Sequence, residues 1–375
     1  MKIGVPKEIK ADEYRVGLVP SSVRELTTLG HEVFIESQAG LGIGISDTNY
    51  IDAGATIIPT AAEVFAVSTL IVKVKEPQVI ELDYLKPAHI LFTFLHLGAD
   101  LKQAQGLLES GCSALAYETV TDAFQRLPLL TPMSMVAGRL AVQAGAHALE
   151  KAQLGRGILL GAIPGIAPAQ VLIIGGGVVG TQAIRMAIGM EAQVTVMDQS
   201  LACLENLEAK FGGRLNTVFF TQAALEYYLA TADLVIGAVL IPGSAAPKLL
   251  TRSMLSLMQP GSVLVDVAID QGGCFETSRA TTHSSPMYIE EQIVHYCVAN
   301  MPGAVPRTAT LALNNATLPF IILLAELGLC KSCEQNSYLQ NGLNIYQGKV
   351  THPAVAAALD HRYYAPQEVL INLTF

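Results

Sequence analysis

The chain has 375 residues, enough for two domains of ordinary size, each with its own core. Its composition, 51% hydrophobic and only 15% charged, excludes a disordered protein and points to a well-buried globular one. A formal charge of −9, with no long basic run, argues against nucleic acid or an anionic membrane as a partner.

Short apolar runs alternate with amphipathic helical patterns along most of the chain. The first series predicts strands at 2–6, 32–36, 70–75, 90–96 and 113–118. Helical segments lie between them, such as 22–29, stopped by Gly30, and 100–110, stopped by Gly111. A helical stretch over 133–152 is too long for a routine crossover, and a glycine-rich segment, "LGRGILLGAIPGIAPAQ", follows it. The second series predicts strands at 170–176, 193–198, 232–239, 262–269 and 293–300. A last apolar helical pattern begins near Pro306 and is expected to break around Pro319. Strand–helix alternation of this kind implies right-handed crossovers and a mainly parallel, doubly wound sheet. The expected fold is α/β: two such domains joined by long helices, with a cleft between them. Residues 1–130 plus 305–375 make one domain and 131–304 the other.

Two further exclusions follow. The longest apolar runs, such as 319–325, fall short of the ~20 residues a membrane span needs, and "MKIGVPKEIK" lacks the apolar core of a secretory signal. A soluble, cytoplasmic protein is therefore expected. Of the six cysteines only Cys330 and Cys333 have C-x-x-C spacing, without a second pair or a nearby histidine, so reduced thiols and no metal are expected.

"VLIIGGGVVG" sets Gly175, Gly177 and Gly180 in G-x-G-x-x-G spacing directly after a strand and at the start of a helix. The first glycine suits a tight turn, the second a close pyrophosphate, and the third helix–strand packing. Asp198 ends the next strand, where a carboxylate accepts from ribose hydroxyls and repels a 2′-phosphate. The segment 131–304 thus reads as a Rossmann domain for NAD rather than NADP. Ligands of open α/β sheets sit beyond the carboxyl ends of strands. That rule collects Arg15, Lys75, His96 and Glu118 in the first domain and Asp270 in the second, a set suited to an anionic substrate that gains and loses protons.

Each of these also has a structural reading. Lys73 and Lys75 share one strand face and either can snorkel past a sheet edge. His96 suits a core imidazole, and Asp270 a cap before Gly272 and Gly273. "SVLVDVAIDQGG" places Asp266 and Asp270 four apart, on the same side if the strand continues through both. Asp266 is expected to be structural and Asp270 to face the nicotinamide.

Up to about Gly328 the chain resembles the alanine dehydrogenase/pyridine-nucleotide transhydrogenase family. The matching segments include "MKIGVPKEIKADEYRVGLVP", "VKVKEP", "LFTFLHLGADL", "PMSMVAGRLAVQ", "IGAVLIPG", "VDVAIDQGGCFETSRATTH" and "HYCVANMPGAVPRT". The resemblance implies NAD-dependent, reversible oxidative deamination of L-alanine to pyruvate and ammonium. It implies Arg15 and Lys75 as ligands of the substrate carboxylate, and His96 and Asp270 as the acid/base residues. On the cofactor side it adds Ser134, Val178, Val179, Val239, Leu240, Val267, Ala268, Ile269, Asp270, Arg279, Val298, Ala299, Asn300 and Met301. It also implies a homohexamer. Two positions depart from the family pattern: Cys203 stands where many relatives carry a basic residue, and "TVFFTQ" brings Phe219 and Phe220 where a serine is frequent.

Rival readings are the soluble NAD-binding subunit of a proton-translocating transhydrogenase, a noncatalytic NAD-binding protein, and a dehydrogenase for a larger amino acid.

Overall fold

The computed structural model describes residues 1–239 and 246–370. The chain divides into two compact units, one of Met1–Met133 with the chain from Val305 onward, the other of Ser134–Ala304.

The first unit carries β1 (Lys2–Val5), β2 (Glu32–Glu36), β3 (Thr56–Ile58), β4 (Leu70–Val72), β5 (Ile90–Thr93) and β6 (Ser113–Ala116). The second carries β7 (Gln170–Ile174), β8 (Gln193–Asp198), β9 (Leu215–Phe219), β10 (Leu234–Gly237), β11 (Val263–Asp266), β12 (Met287–Glu290) and β13 (Ile293–Tyr296). The chain then returns to the first unit with β14 (Leu343–Tyr346) and β15 (Lys349–Val350).

The first sheet runs β15-β14-β6-β5-β4-β1-β2-β3, and the second β12-β13-β11-β10-β7-β8-β9. Among the described residues, only the strand pairings β14–β15, β6–β14 and β12–β13 are antiparallel. Strands such as β4, β5, β7 and β10 are apolar along almost every residue because helices cover both sheet faces. In each sheet the strand order reverses beside the first strand of its series, between β1 and β4 and between β7 and β10. A crevice opens at such a switch point, and ligands of α/β sheets bind there.

Helix boundaries follow local chemistry. Asp100 caps the helix Leu101–Ser110 by accepting the N–H groups of Lys102 (3.1 Å) and Gln103 (3.0 Å). Gly111 ends that helix in the left-handed region.

The last long helix differs from expectation. It runs Pro306–Gln335, straight through Pro319, and its non-helical residue is Gly328 (φ 71°). Proline removes only one intrahelical bond, and burial of the flanking Ile321, Leu324 and Ala325 in the first core sustains the helix. By length and composition this helix is apolar enough to cross a membrane. In the fold it lies instead against the first sheet's core. There the buried Asn314 carboxamide accepts from the Val19 N–H (3.1 Å) and the Ser22 hydroxyl (2.6 Å), and donates to the Gly17 carbonyl (3.3 Å). The loop that carries Arg15 is thereby pinned to the helix.

Replacing Asn314 by leucine keeps the branched heavy-atom framework and strands three buried polar groups. A loss of about 3 kcal/mol is expected from urea unfolding midpoints. A midpoint equal to that of the parent protein would show that those groups find other partners.

Candidate functional site

At the β1–β4 switch the two candidate cations are held very differently. Arg15 is buried, and its guanidinium makes a two-point pair with Glu13, Nε at 2.7 Å and Nη2 at 2.6 Å. Its Nη1 also lies 3.1 Å from the Met133 sulfur. The Nε–Nη2 edge is therefore committed to Glu13.

Lys75 is half-buried, and its peptide is clamped from both sides. Glu8 Oε1 accepts the N–H groups of Val74 (2.7 Å) and Lys75 (3.2 Å), and the Thr93 hydroxyl donates to the Lys75 carbonyl (2.8 Å). Lys73 does not snorkel. It is wholly buried, with Nζ 3.0 Å from Glu8 and 2.8 Å from Glu81, both buried too. Burial works against the Lys73 ammonium, but Glu8 and Glu81 outweigh it and hold its pKa above the ordinary lysine value. Burial raises the Glu8 pKa, and Lys73 and the Val74 N–H offset this only in part.

β5 ends at Thr93, and the chain beyond it stays tied to the chain beyond β4. Phe94 donates to the Val74 carbonyl at 3.3 Å. His96 sits in the left-handed region (φ 52°, ψ 38°), where its N–H and that of Leu95 turn onto Glu118, at 2.6 Å and 3.2 Å. Its ring lies parallel to that of Phe94, with centroids 5.8 Å apart, and is half exposed, with Nδ1 3.9 Å from Glu118. The imidazole is presented at the surface by its backbone rather than packed into a core. Arg15, Lys75, His96 and Glu118 all follow the carboxyl ends of adjacent strands β1, β4, β5 and β6.

In the second unit the glycine turn assigns a separate task to each glycine. Gly175 is left-handed (φ 103°), and a Cβ there would meet the Ala238 carbonyl at 2.6 Å. A Cβ on Gly180 would lie 1.8 Å from the Gly175 carbonyl. At Gly177 no atom stands within 4 Å, so the turn opens toward the start of the helix Val178–Gly189. That helix has no side-chain cap and no acid in its first turn, which leaves its dipole to an incoming anion. A dinucleotide pyrophosphate fits this cradle.

Asp198, at the end of β8, accepts the Gly176 N–H (2.7 Å) and the Ser200 N–H (2.8 Å). Its carboxylate is thus set before any ribose arrives. Burial, then the Asp198 charge, pushes the Cys203 thiol up to about 11. Phe219 is largely exposed, and Phe220 packs against the second core. Val239 follows β10 with its N–H side against Gly175. Leu240 lies outside the described residues. Ser134 is in the first turn of the helix Thr131–Ala148. Further along that helix, a Cβ on Gly138 would meet the Val179 carbonyl at 2.2 Å.

The strand carrying the two aspartates stops at Asp266, so they do not share a strand face. Val267–Gln271 forms a 3-10 turn with Ala268 and Ile269 buried and Asp270 exposed. Asp266 is wholly buried and accepts the N–H groups of Ala268 (3.0 Å), Cys274 (2.9 Å) and Phe275 (3.3 Å), and the Ser278 hydroxyl. Asp270 Oδ1 takes the N–H of Asn300 at 3.3 Å, and Asn300 is itself left-handed (φ 63°). Val298 and Met301 are buried and Ala299 half-buried in the same stretch after β13. Arg279 is exposed, with its guanidinium 4.1 Å from the Tyr288 ring centre. Among the described residues, no group of three or more His, Cys, Asp or Glu is placed to hold a metal.

The helpers that sequence reasoning missed are Glu8, Glu13 and Glu81. The only local signal for any of them was the i, i+2 spacing of Glu13 and Arg15.

The description "Alanine dehydrogenase/PNT, N-terminal domain" matches residues 4–137, and "Alanine dehydrogenase/PNT, C-terminal domain" matches 141–353. An alanine dehydrogenase of Halomonas elongata is 56% identical over 363 residues, 97% of this chain and 98% of that one. The solved structure of an L-alanine dehydrogenase, 51% identical, matches with a TM-score of 0.93 over 96% of this chain and 99% of its own. A transhydrogenase structure from Sinorhizobium meliloti is more distant, at 27% identity and a TM-score of 0.80 over 94% of this chain and 100% of its own.

The Lys73 triad yields a stability prediction. Lys73→Met leaves two buried carboxylates without a counter-ion and should lower stability by about 3–5 kcal/mol. Losing Lys73 removes the largest influence lowering the Glu8 pKa, so the folded value rises further above the unfolded one. The folded state then binds a proton that the unfolded state has released, and stability falls as pH rises through that window. Chemical denaturation should show the Lys73→Met deficit larger at pH 8 than at pH 5. An equal deficit at both would contradict the triad.

Proposed function

The chain belongs to the alanine dehydrogenase/PNT family, and from that premise we propose that it catalyses the reversible oxidative deamination of L-alanine to pyruvate and ammonium with NAD. The observation that carries this reading is the pair of cations at the β1–β4 switch, Arg15 braced by Glu13 and Lys75 clamped by Glu8. A small amino acid has one carboxylate to be held, and a guanidinium and an ammonium that follow adjacent strands suit it. Fixing that end limits the freedom of the α-carbon and so reduces the entropic part of the barrier.

When bound in the cradle at Gly175, Gly177 and Gly180, with Asp198 toward its ribose, NAD would accept the hydride from the α-carbon. Asp198 favours NAD because a 2′-phosphate would face its charge. Val178, Val179, Val239, Val267, Ala268, Ile269, Val298, Ala299, Asn300 and Met301 line strand ends β7, β10, β11 and β13, with Ser134 and Arg279 as outer contacts. Leu240 completes the proposed set.

The amine loses a proton as the α-carbon loses hydride to give an iminium, and water adds to form a carbinolamine. Proton transfer from oxygen to nitrogen then lets the C–N bond break, to release ammonia and leave the carbonyl of pyruvate. His96 is half exposed and held by its backbone, which suits a proton carrier. Asp270, exposed on its 3-10 turn, supplies negative charge opposite the positive charge that hydride loss creates. For the homohexamer we point to Leu159, Ile163 and Ile166, an exposed apolar run in the second unit that assembly would bury.

A panel of amino acids and oxoacids assayed with NAD(H) and NADP(H) tests substrate and cofactor together. Alanine-dependent NADH formation by the isolated protein is the expected result. Its absence would favour a transhydrogenase-like role. Asp270→Asn keeps the acceptor for the Asn300 N–H and should lower kcat by about 10²–10⁴-fold while NAD still binds. Full turnover by that variant would remove Asp270 from the mechanism.

A further inference from the structure

Residues 246–250 run alongside 271–276. Ala246 donates to the Gln271 carbonyl (3.0 Å), Leu249 to that of Cys274 (2.8 Å), and Glu276 back to that of Leu250 (2.8 Å). Lys248 stands in the middle of this ladder. Its ammonium donates to three carbonyls of the neighbouring turn, Gly272 at 2.5 Å, Gly273 at 2.8 Å and Phe275 at 3.2 Å.

Those carbonyls converge because Gly272 (φ 87°) and Gly273 (φ 76°) are consecutive left-handed residues. Two adjacent glycines have more backbone freedom than any other pair, so packing alone does not choose this conformation. At Gly272 no atom lies within 4 Å of where a Cβ would stand. What holds the turn is polar and comes from two sides. Asp266 collects N–H groups of Ala268, Cys274 and Phe275, and Lys248 collects the carbonyls of Gly272, Gly273 and Phe275. Asp270 lies on the 3-10 turn that Asp266 opens and Gly272 closes. Three ammonium hydrogens matched to three carbonyl oxygens use the whole donor capacity of a lysine.

We infer that Lys248 is a positioning residue for Asp270, its ammonium locking the two-glycine turn that sets where the carboxylate points. The inference rests on the reading of Asp270 as an acid/base residue. Lys248 touches neither substrate nor cofactor in this scheme. It acts through the turn.

The test uses the full-length protein and three variants, Lys248→Met, Lys248→Ala and Asp270→Asn. Both Lys248 variants should lose about 10–100-fold in kcat, the scale of a small misplacement of a catalytic group. The alanine KM and the NAD Kd should stay near those of the parent protein. Ethylammonium should return part of the lost kcat to Lys248→Ala by filling the vacated carbonyl nest, and should not help Asp270→Asn. Parental kcat in both Lys248 variants overturns the inference. So does a joint loss of kcat, KM, NAD binding and melting temperature with no amine rescue, which would mark Lys248 as structural only. Full turnover by Asp270→Asn overturns the Asp270 assignment and this inference with it. An inactive Asp270→Asn beside an unaffected Lys248→Met overturns this inference alone.

Discussion

A carboxylate that gathers backbone N–H groups just beyond a strand end recurs at four candidate positions of this fold. Glu8 holds Val74 and Lys75, and Glu118 holds Leu95 and His96. Asp198 holds Gly176 and Ser200, and Asp266 holds Ala268, Cys274 and Phe275. The reason is general. A parallel strand that runs out of partners leaves donors that must be satisfied, and an ionised acceptor makes the stronger bond. The acid itself needs several donors to offset its desolvation, so one carboxylate orders two or three residues at once. The loops bearing Lys75, His96, the glycine turn and Asp270 are fixed in this way rather than by apolar packing.

The arrangement separates the residues proposed to do chemistry from those that hold the backbone beside them. Asp266 and Asp270 differ by only four positions, yet one is wholly buried with five donors bonded to it, and the other is exposed and accepts the Asn300 N–H at 3.3 Å. Lys73 and Lys75 repeat the contrast at the first switch point. The inner lysine is neutralised by Glu8 and Glu81, and the outer one is half-buried at the crevice. In both pairs the inner charge is buried among its partners and the outer charge is more exposed.

This division explains what was legible in the sequence. Buried parallel strands are uninterrupted apolar runs, so ten of them stand out, and the residue ending each is a candidate by position alone. The glycine fingerprint carries its own spacing. The strands that escaped are of other kinds. β3 has three residues and β15 two, β12 is an antiparallel edge, β9 is mostly half-exposed, and β14 is interrupted by the buried Asn344. The partners that the holding residues meet were hidden for a different reason. Glu8 meets Lys73 across 65 positions, and Glu118 meets His96 across 22, and neither periodicity nor spacing encodes such a meeting. The strand at Asp266 was read too long because Val267, Ala268 and Ile269 are as apolar inside a 3-10 turn as inside a strand.

Asp198 shows what such prior order implies for ligand selection. Both of its oxygens already accept backbone N–H groups, one of them from the glycine turn itself. A carboxylate has about four acceptor positions, so two backbone bonds leave capacity for ribose hydroxyls without any rotation of the side chain. The same bonds tie the acid to the loop that would receive the pyrophosphate, so the spacing between ribose and phosphate recognition is set by the fold. Cys203 at this corner adds no positive charge to soften the carboxylate. Burial and Asp198 together keep its thiol protonated, up to about 11. The adenosine side of the cradle is therefore governed by one fixed negative charge. On the NAD reading proposed above, such a surface would discriminate against a 2′-phosphate through repulsion.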